Sequence, residues 1–231
     1  MPKVLLKSRE GIAPGEYYHI FNRGAHRQTV FKEKNDWRRF LFNVLFLQSP
    51  HEFKNIHRIT ESFVPDIGFS VPNEDIESII ESRFVEVVCF CLMSNHFHLL
   101  VKETIEGGIA RYMQRVSDGY TKYYNVKYDA TGHVFQGPYK AVHVKTDSQL
   151  LYTSAYIHRN PRDTREWSGK EFEYPWSSLQ DFTDANRWGG LIVPEIITGQ
   201  FAITAKSNYA DFVKTTNKKL LAEELEGIII L

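Results

Sequence analysis

Two apolar runs on either side of a short polar turn constrain this chain more than any other feature. Phe84 to Leu92 (FVEVVCFCL) and His96 to Val101 (HFHLLV) flank Met93-Ser94-Asn95. Both runs are rich in β-branched and aromatic residues. A connection this short joins neighbouring antiparallel strands, so the segment reads as a β-hairpin.

The rest of the chain falls into place around that hairpin. Glu16 to Asn22 (EYYHIFN) reads as a first strand, and Asn22-Arg23-Gly24 as a turn. Lys34 to Leu47 has a helical stripe of Phe40, Leu41, Val44, Leu45 and Leu47, with Asn35 or Asp36 as its cap. Residues 48 to 72, broken by Pro50, Pro65, Gly68 and Pro72, read as an irregular insertion; a short helix then runs from Pro72 through Ser82. Gly108 to Val126 is a helix carrying Ile109, Tyr112, Met113, Val116, Tyr120 and Tyr123. Tyr139 to Val144 is a strand, and Asp147 begins a helix that Pro161 ends near Asn160.

The resulting order, β-α-(insert)-β-β-α-β-α, is the split βαβ pattern of a ferredoxin-like α+β domain. It predicts an antiparallel sheet with helices on one face, plus an extra C-terminal helix that bears tyrosines. The remainder from Arg162 is loop-rich, with Trp167, Trp176 and Trp188 expected to pack across the domain. One domain over 1–185, with an insert at about 48–83, is followed by an extension over 186–231 to which the sequence assigns no role.

Composition narrows function only by exclusion. The 28 Lys+Arg balance 28 Asp+Glu, so the whole chain carries no basic field. Locally, Gly107 to Lys145 holds Arg111, Arg115, Lys122, Lys127, Lys140 and Lys145 against Asp118 and Asp129, six minus two or +4. That suits a phosphate-facing surface or the solvated face of a helix equally. The tail around Glu223, Glu224 and Glu226 is acidic. Cys89 and Cys91 are the only cysteines and make no disulfide framework. The opening MPKVLLKSREG lacks a signal-peptide core, and no apolar run approaches the roughly 18 residues of a membrane span. The expected location is cytoplasmic, with no membrane partner.

The chemistry lies in His96-Phe97-His98. On a strand, both imidazoles face one side while Phe97 faces the other, so the pair can ligate one divalent ion or be two ordinary surface histidines. Tyr156 and Asn160, four apart on a helix, share a face. They offer a phenol and an amide oxygen to one site; alternatively Tyr156 packs in a core with Tyr152, and Asn160 is a C-cap. Cys89, Cys91, His96 and His98 also permit a C-x-C…H-x-H zinc site, although buried strand thiols fit the pattern better. Tyr120, Tyr123, Tyr124 and Tyr128 are rival nucleophiles, better suited to packing or base stacking. Arg23 can hold a phosphate or be a solvated turn residue. His19, His26, His133 and His143 are structural or DNA-facing.

Five blocks, in order, resemble one family. They are YYHIFNRG (Tyr17 to Gly24), CLMSNHFHLLV (Cys91 to Val101), GHVFQGPYK (Gly132 to Lys140), YIHRNP (Tyr156 to Pro161) and YPWSS (Tyr174 to Ser178). They look like the REP-associated tyrosine transposases of the HUH single-tyrosine (IS200-like) superfamily. The resemblance implies His96 and His98 as metal ligands, Asn160 completing the site, Tyr156 as nucleophile, and Mg²⁺ or Mn²⁺ as the ion. It implies single-strand DNA cleavage through a 5′-phosphotyrosine, on DNA next to a hairpin, with a homodimer as one possible assembly. Arg23, Arg111, Arg115, Lys122, His133, Gln136 and Lys140 are candidate DNA contacts. Pro138 stands where the family commonly has Arg, and Phe135 where it has Trp. Two other classes remain open: a non-catalytic nucleic-acid-binding module on this fold, and a zinc hydrolase using His96 and His98.

Overall fold

A computed structural model describes residues 11–201 and 208–225; most of the opening MPKVLLKSREG, and Glu226 of the acidic tail, lie outside them. Four strands form one antiparallel sheet: β1 (Tyr17–Arg23), β2 (Val85–Met93), β3 (His96–Glu103) and β4 (Lys140–Val144). Their order is β2-β3-β1-β4, so β3 separates β1 from β2 and β1 separates β3 from β4. This is the split βαβ arrangement expected from the element order.

Helices α1 (Lys34–Phe46) and α4 (Gly108–Tyr128) cover one face. Phe40, Leu41, Tyr112, Met113, Val116 and Tyr120 meet Ile20, Phe90, Phe97 and Leu99 there. Each such fully buried apolar side chain contributes about 2 kcal/mol of transfer free energy. The cap of α1 differs in detail from expectation. Glu33 is the N-cap, and Asp36 acts from inside the first turn, accepting the backbone N–H of Lys32 and of Glu33. Asp36 is fully buried and also accepts hydrogen bonds from Tyr123, Lys127 and Tyr128, which ties α1 to the end of α4.

Helix α3 (Asn73–Ser82) is the short helix expected there, whereas the stretch before it, read as irregular, also contains α2 (Ile56–Glu61). Phe53 and Phe69 of the insert pack edge-on to Phe42 and Phe46 of α1. The insert therefore extends the first core rather than forming a loop.

The opposite face of the sheet is covered by α5 (Asp147–Arg159), the predicted extra helix. Thr146 caps it by accepting the backbone N–H of Gln149. A β-bulge between Val87 and Cys89 shifts the alternation of β2. Before it, Val85 and Val87 face the first core; after it, Phe90 and Leu92 do, which turns Cys89, Cys91 and Met93 toward α5.

The chain after α5 runs along the outer edge of β2. Trp176 and Phe90 carbonyls accept from Leu92 and Ser178 amides respectively, Cys91 bridges to Ser177, and Val87 bridges to Ile192. This closes a strand edge that would otherwise be open to pairing. Four short helices follow: α6 (Leu179–Thr183), α7 (Glu195–Thr198), α8 (Tyr209–Thr215) and α9 (Lys218–Glu224). Among the described residues, no helix is long and apolar enough to cross a membrane.

Candidate active site

The face of β3 that carries His96, His98 and Leu100 looks at α5, while Phe97 enters the first core against Phe40 and Phe135, as the alternation required. The two imidazole rings lie 5.2 Å apart, centre to centre, and perpendicular. Tyr156 of α5 packs edge-on to His98 at 5.4 Å. One turn on, the Asn160 side-chain oxygen lies 3.4 Å from His96 Nε2. His96, His98, Tyr156 and Asn160 are thus brought together within one chain, so the tyrosine helix meets the histidines of its own sheet.

Hydrogen bonding fixes which atoms face the site. Asn160 donates through Nδ2 to the carbonyl of Tyr156, 2.9 Å away, so its amide nitrogen caps α5 and its oxygen is left for the site. His96 Nδ1 lies 2.6 Å from Asn95 Oδ1, and Asn95 Nδ2 donates to the carbonyl of Arg27. Nδ1–H therefore donates to Asn95, which leaves Nε2 of His96 as a lone pair facing the lone pairs of Asn160 Oδ1. His98 Nδ1 is 2.9 Å from His19 Nε2, and His98 Nε2 is buried without a partner. Acceptor lone pairs facing one another across a gap, beside an orphaned imidazole nitrogen, fit a cation. A cation held by His98 Nε2 would select the tautomer in which Nδ1–H donates to His19.

The electrostatics agree. Burial lowers the pKa of His96 to about 4, opposed by Asn160 Oδ1, which accepts from Nε2 only in the protonated ring. Burial first, then the neighbouring His19, His96 and Arg23, put His98 well below the ordinary range. Both imidazoles are neutral near pH 7, the form that ligates metal. Two imidazoles and one amide oxygen leave room for phosphate oxygen and water, which suits a catalytic rather than a closed structural site.

The sequence reading left His19 as structural or DNA-facing; the fold sets it against His98. It is fully buried, stacks on His98 at 5.1 Å and holds its Nδ1. It touches no reacting atom and acts as a positioning residue. His19→Ala is expected to lower divalent-metal affinity by about 10- to 100-fold, as loss of such an orienting partner does elsewhere. Isothermal titration with Mn²⁺ checks this; unchanged affinity in a folded variant contradicts the role.

The four-ligand C-x-C…H-x-H zinc set is not assembled. Among the described residues, no group of three or more His, Cys, Asp or Glu is placed to hold an ion. Cys89 and Cys91 are buried, and burial raises both thiol pKa values, which keeps them protonated.

The DNA-contact candidates fall in three places. Arg23, Gln136 and Lys140 gather beside the histidines. Arg111, Arg115 and Lys122 ride on α4, across the sheet from α5; Arg115 donates to the carbonyl of His51 in the insert. His133 lines a separate cavity beside α4 with Gln114 and Asp118. Tyr120 is fully buried, and Tyr123 and Tyr128 are bound to Asp36, so their hydroxyls are occupied by structure.

The extension beyond 186 has a visible task in holding α5. Ser178 donates to His158 Nε2, and His158 Nδ1–H donates to Tyr209 of α8, whose hydroxyl donates to Ser154. The backbone N–H of Phe90 donates to Ser178, so one polar chain links β2, α5 and α8. Arg159 donates to the carbonyl of Val213.

These buried histidines predict acid sensitivity. Burial lowers His19 and His158 from the ordinary 6.5 to about 3, and His96 to about 4. The unfolded chain takes up protons below pH 6.5 that the folded chain refuses, so stability is full above 6.5 and is lost as pH falls toward 3 to 4. Each such histidine contributes about 1.4 kcal/mol per pH unit well below 6.5. The urea midpoint should therefore drop between pH 6.5 and 5, above the carboxylate range. A midpoint flat over that interval contradicts neutral burial.

The family model described as "Transposase IS200 like" matches residues 70–160, a span that contains His96, His98 and Tyr156 and ends on Asn160. A solved structure of a REP-associated tyrosine transposase bound to a REP hairpin is 14% identical, with a TM-score of 0.47; the match covers 87% of this chain and 94% of that chain. No curated protein matches the chain.

Proposed function

We propose that this chain, whose residues 70–160 match the IS200-like transposases, is a transposase-type single-strand DNA endonuclease and strand transferase with Tyr156 as its nucleophile. The single observation that carries the reading is the junction of two inward-facing acceptors, His96 Nε2 and Asn160 Oδ1, and the unpartnered Nε2 of buried His98 with the ring of Tyr156. That combination serves a phosphoryl transfer better than it serves a core.

The phenol of Tyr156 gives up its proton and its oxygen bonds to a DNA phosphorus. The P–O3′ bond breaks, the 3′ oxygen takes up a proton, and a 5′-phosphotyrosine remains. Because one phosphodiester replaces another, a second 3′-OH can reverse the step and join strands. A phenol with an ordinary pKa near 10 is a weak nucleophile at neutral pH. A divalent ion, Mg²⁺ or Mn²⁺, held by His96, His98 and Asn160, would offset the negative charge on the phosphate oxygens. His19 and Asn95 hold the two imidazoles in the tautomers this needs. Hairpin-flanked DNA as the substrate rests on the five sequence blocks.

A denaturing gel tests the reading. Wild-type protein incubated with end-labelled, hairpin-flanked single strands and Mg²⁺ or Mn²⁺ should give a protein–DNA band that survives denaturation and is lost with chelator. Tight binding without such a band, over a pooled set of hairpins, would favour the non-catalytic binding module.

A further inference from the structure

Helix α5 does not stop cleanly at Arg159. The chain continues into a tight 3₁₀ turn over Asn160–Asp163 (NPRD). Side chains three apart in such a turn eclipse one another, so Asp163 follows Asn160 on the same side. Asn160 presents its amide oxygen to His96 Nε2 at 3.4 Å. The register of the turn therefore sets a carboxylate next in line behind that amide oxygen. The turn is also firmly fastened. Asn160 and Pro161 are buried, and the backbone N–H and the hydroxyl of Thr164 both donate to the Pro161 carbonyl. Arg162, a third of a turn away from Asp163, donates through Nε to Glu171, whose side chain is almost wholly buried. These contacts hold Asp163 in a fixed place relative to Asn160.

The charge of Asp163 reaches the site. Burial is the largest influence on His96, followed by the Asn160 oxygen; of the charges around the ring, Arg23 opposes its protonation and Asp163 supports it. Among the described residues, no three His, Cys, Asp or Glu are placed to hold an ion directly, so Asp163 stands outside the inner ligands. The inner set has a chemical gap at that point. His96, His98 and Asn160 are all neutral. A neutral, imidazole-rich set favours zinc and other transition metals. Mg²⁺ keeps several of its waters and is bound through one or two carboxylates.

We propose that Asp163 is the anionic member of the divalent-ion site, an outer carboxylate that accepts a hydrogen bond from water on the ion and shifts the site's preference from Zn²⁺ toward Mn²⁺ and Mg²⁺. The proposal rests on the reading of His96, His98 and Asn160 as that site. Asp163 acts through charge and through the ion's water, so it is a positioning residue and takes no part in bond making. Outer partners of metal ligands change affinity by about 10- to 100-fold. The 3₁₀ turn gives this one a physical link to the nucleophile, since the helix that carries Tyr156 runs straight into the turn that carries Asp163.

The test is isothermal titration of the full chain with Mn²⁺ and, separately, with Zn²⁺, in the absence of DNA. Asp163 is exposed and Asn matches it in shape, so Asp163→Asn should fold. It is expected to weaken Mn²⁺ binding at least about tenfold. Zn²⁺ binding should weaken by less than about threefold, because the imidazoles carry that ion. Asp163→Glu keeps the charge and should recover most of the Mn²⁺ affinity. Asp66→Asn removes an exposed carboxylate of the insert and should stay within about twofold of wild type for both ions, its charge being screened by solvent. Unchanged Mn²⁺ affinity in Asp163→Asn overturns the proposal, as do equal losses for the two ions or a matching loss in Asp66→Asn. If His96→Ala abolishes Mn²⁺ binding while Asp163→Asn leaves it intact, only the role of Asp163 fails. If wild type takes up no Mn²⁺, or takes it up equally after His96→Ala, the divalent site itself fails and the role of Asp163 with it.

Discussion

Tyr156→Phe should bind single-stranded DNA as tightly as wild type, within about twofold, and cleave it at least about 10³-fold more slowly. The change removes one oxygen and keeps the ring, so the edge-on packing of Tyr156 against His98 and His19 is retained. The ring is largely buried, at 8% exposure, and α5 is held from outside by Tyr209 and by the Val213 carbonyl, which accepts from Arg159. Ring packing and these anchors hold the site together, so loss of rate in a folded variant reports loss of the nucleophile. Single-turnover cleavage of a labelled strand is the readout. A rate within tenfold of wild type would rule Tyr156 out and send the search to another nucleophile.

The second large effect is expected at the histidine pair. His96→Ala/His98→Ala should lose divalent-dependent cleavage by on the order of 10³-fold, the loss of several kcal/mol of charge stabilisation in the transition state. His98 is fully buried between His19, Phe21 and Tyr156, so its truncation leaves a cavity and costs stability as well. His96→Ala alone separates the two effects, because His96 is only partly buried in the folded chain. A folded single variant that cleaves normally, with the usual response to Mn²⁺, contradicts the metal assignment.

Much of this was legible in the sequence, for identifiable reasons. Period-2 alternation put His96 and His98 on one face and Phe97 on the other, and α-helical spacing put Tyr156 over Asn160; both geometries are local. The element order also carried the split βαβ topology. The IS200-like family model matches residues 70–160, which hold the motif blocks at Cys91 to Val101 and Gly132 to Lys140 and nearly all of the block at Tyr156 to Pro161; the other two lie outside it.

What was not legible depends on long-range pairing. His19 sits in YYHIF, where both faces of β1 are buried, so no pattern marks it; only the β1–β3 register brings it against His98. Helix α2 spans Ile56–Glu61 and buries only Thr60, too short a stripe to detect. The +4 segment was read along the chain, whereas α4 carries Arg111, Arg115 and Lys122 to the other side of the sheet from α5. The extension has no long periodic run. Its link to α5 through Tyr209, His158 and Ser154 depends on residues far apart in the chain.

The central claim is a covalent bond between one phenol and DNA, and peptide mapping reads that bond directly. Wild-type protein would be incubated with hairpin-flanked single-stranded DNA and Mn²⁺, denatured, treated with nuclease and protease, and analysed by tandem mass spectrometry. The account predicts a peptide spanning Tyr152 to Asn160 that carries a nucleotide phosphate on Tyr156. A nucleotide adduct on any other residue, or cleaved DNA with no adduct on the protein, would contradict it.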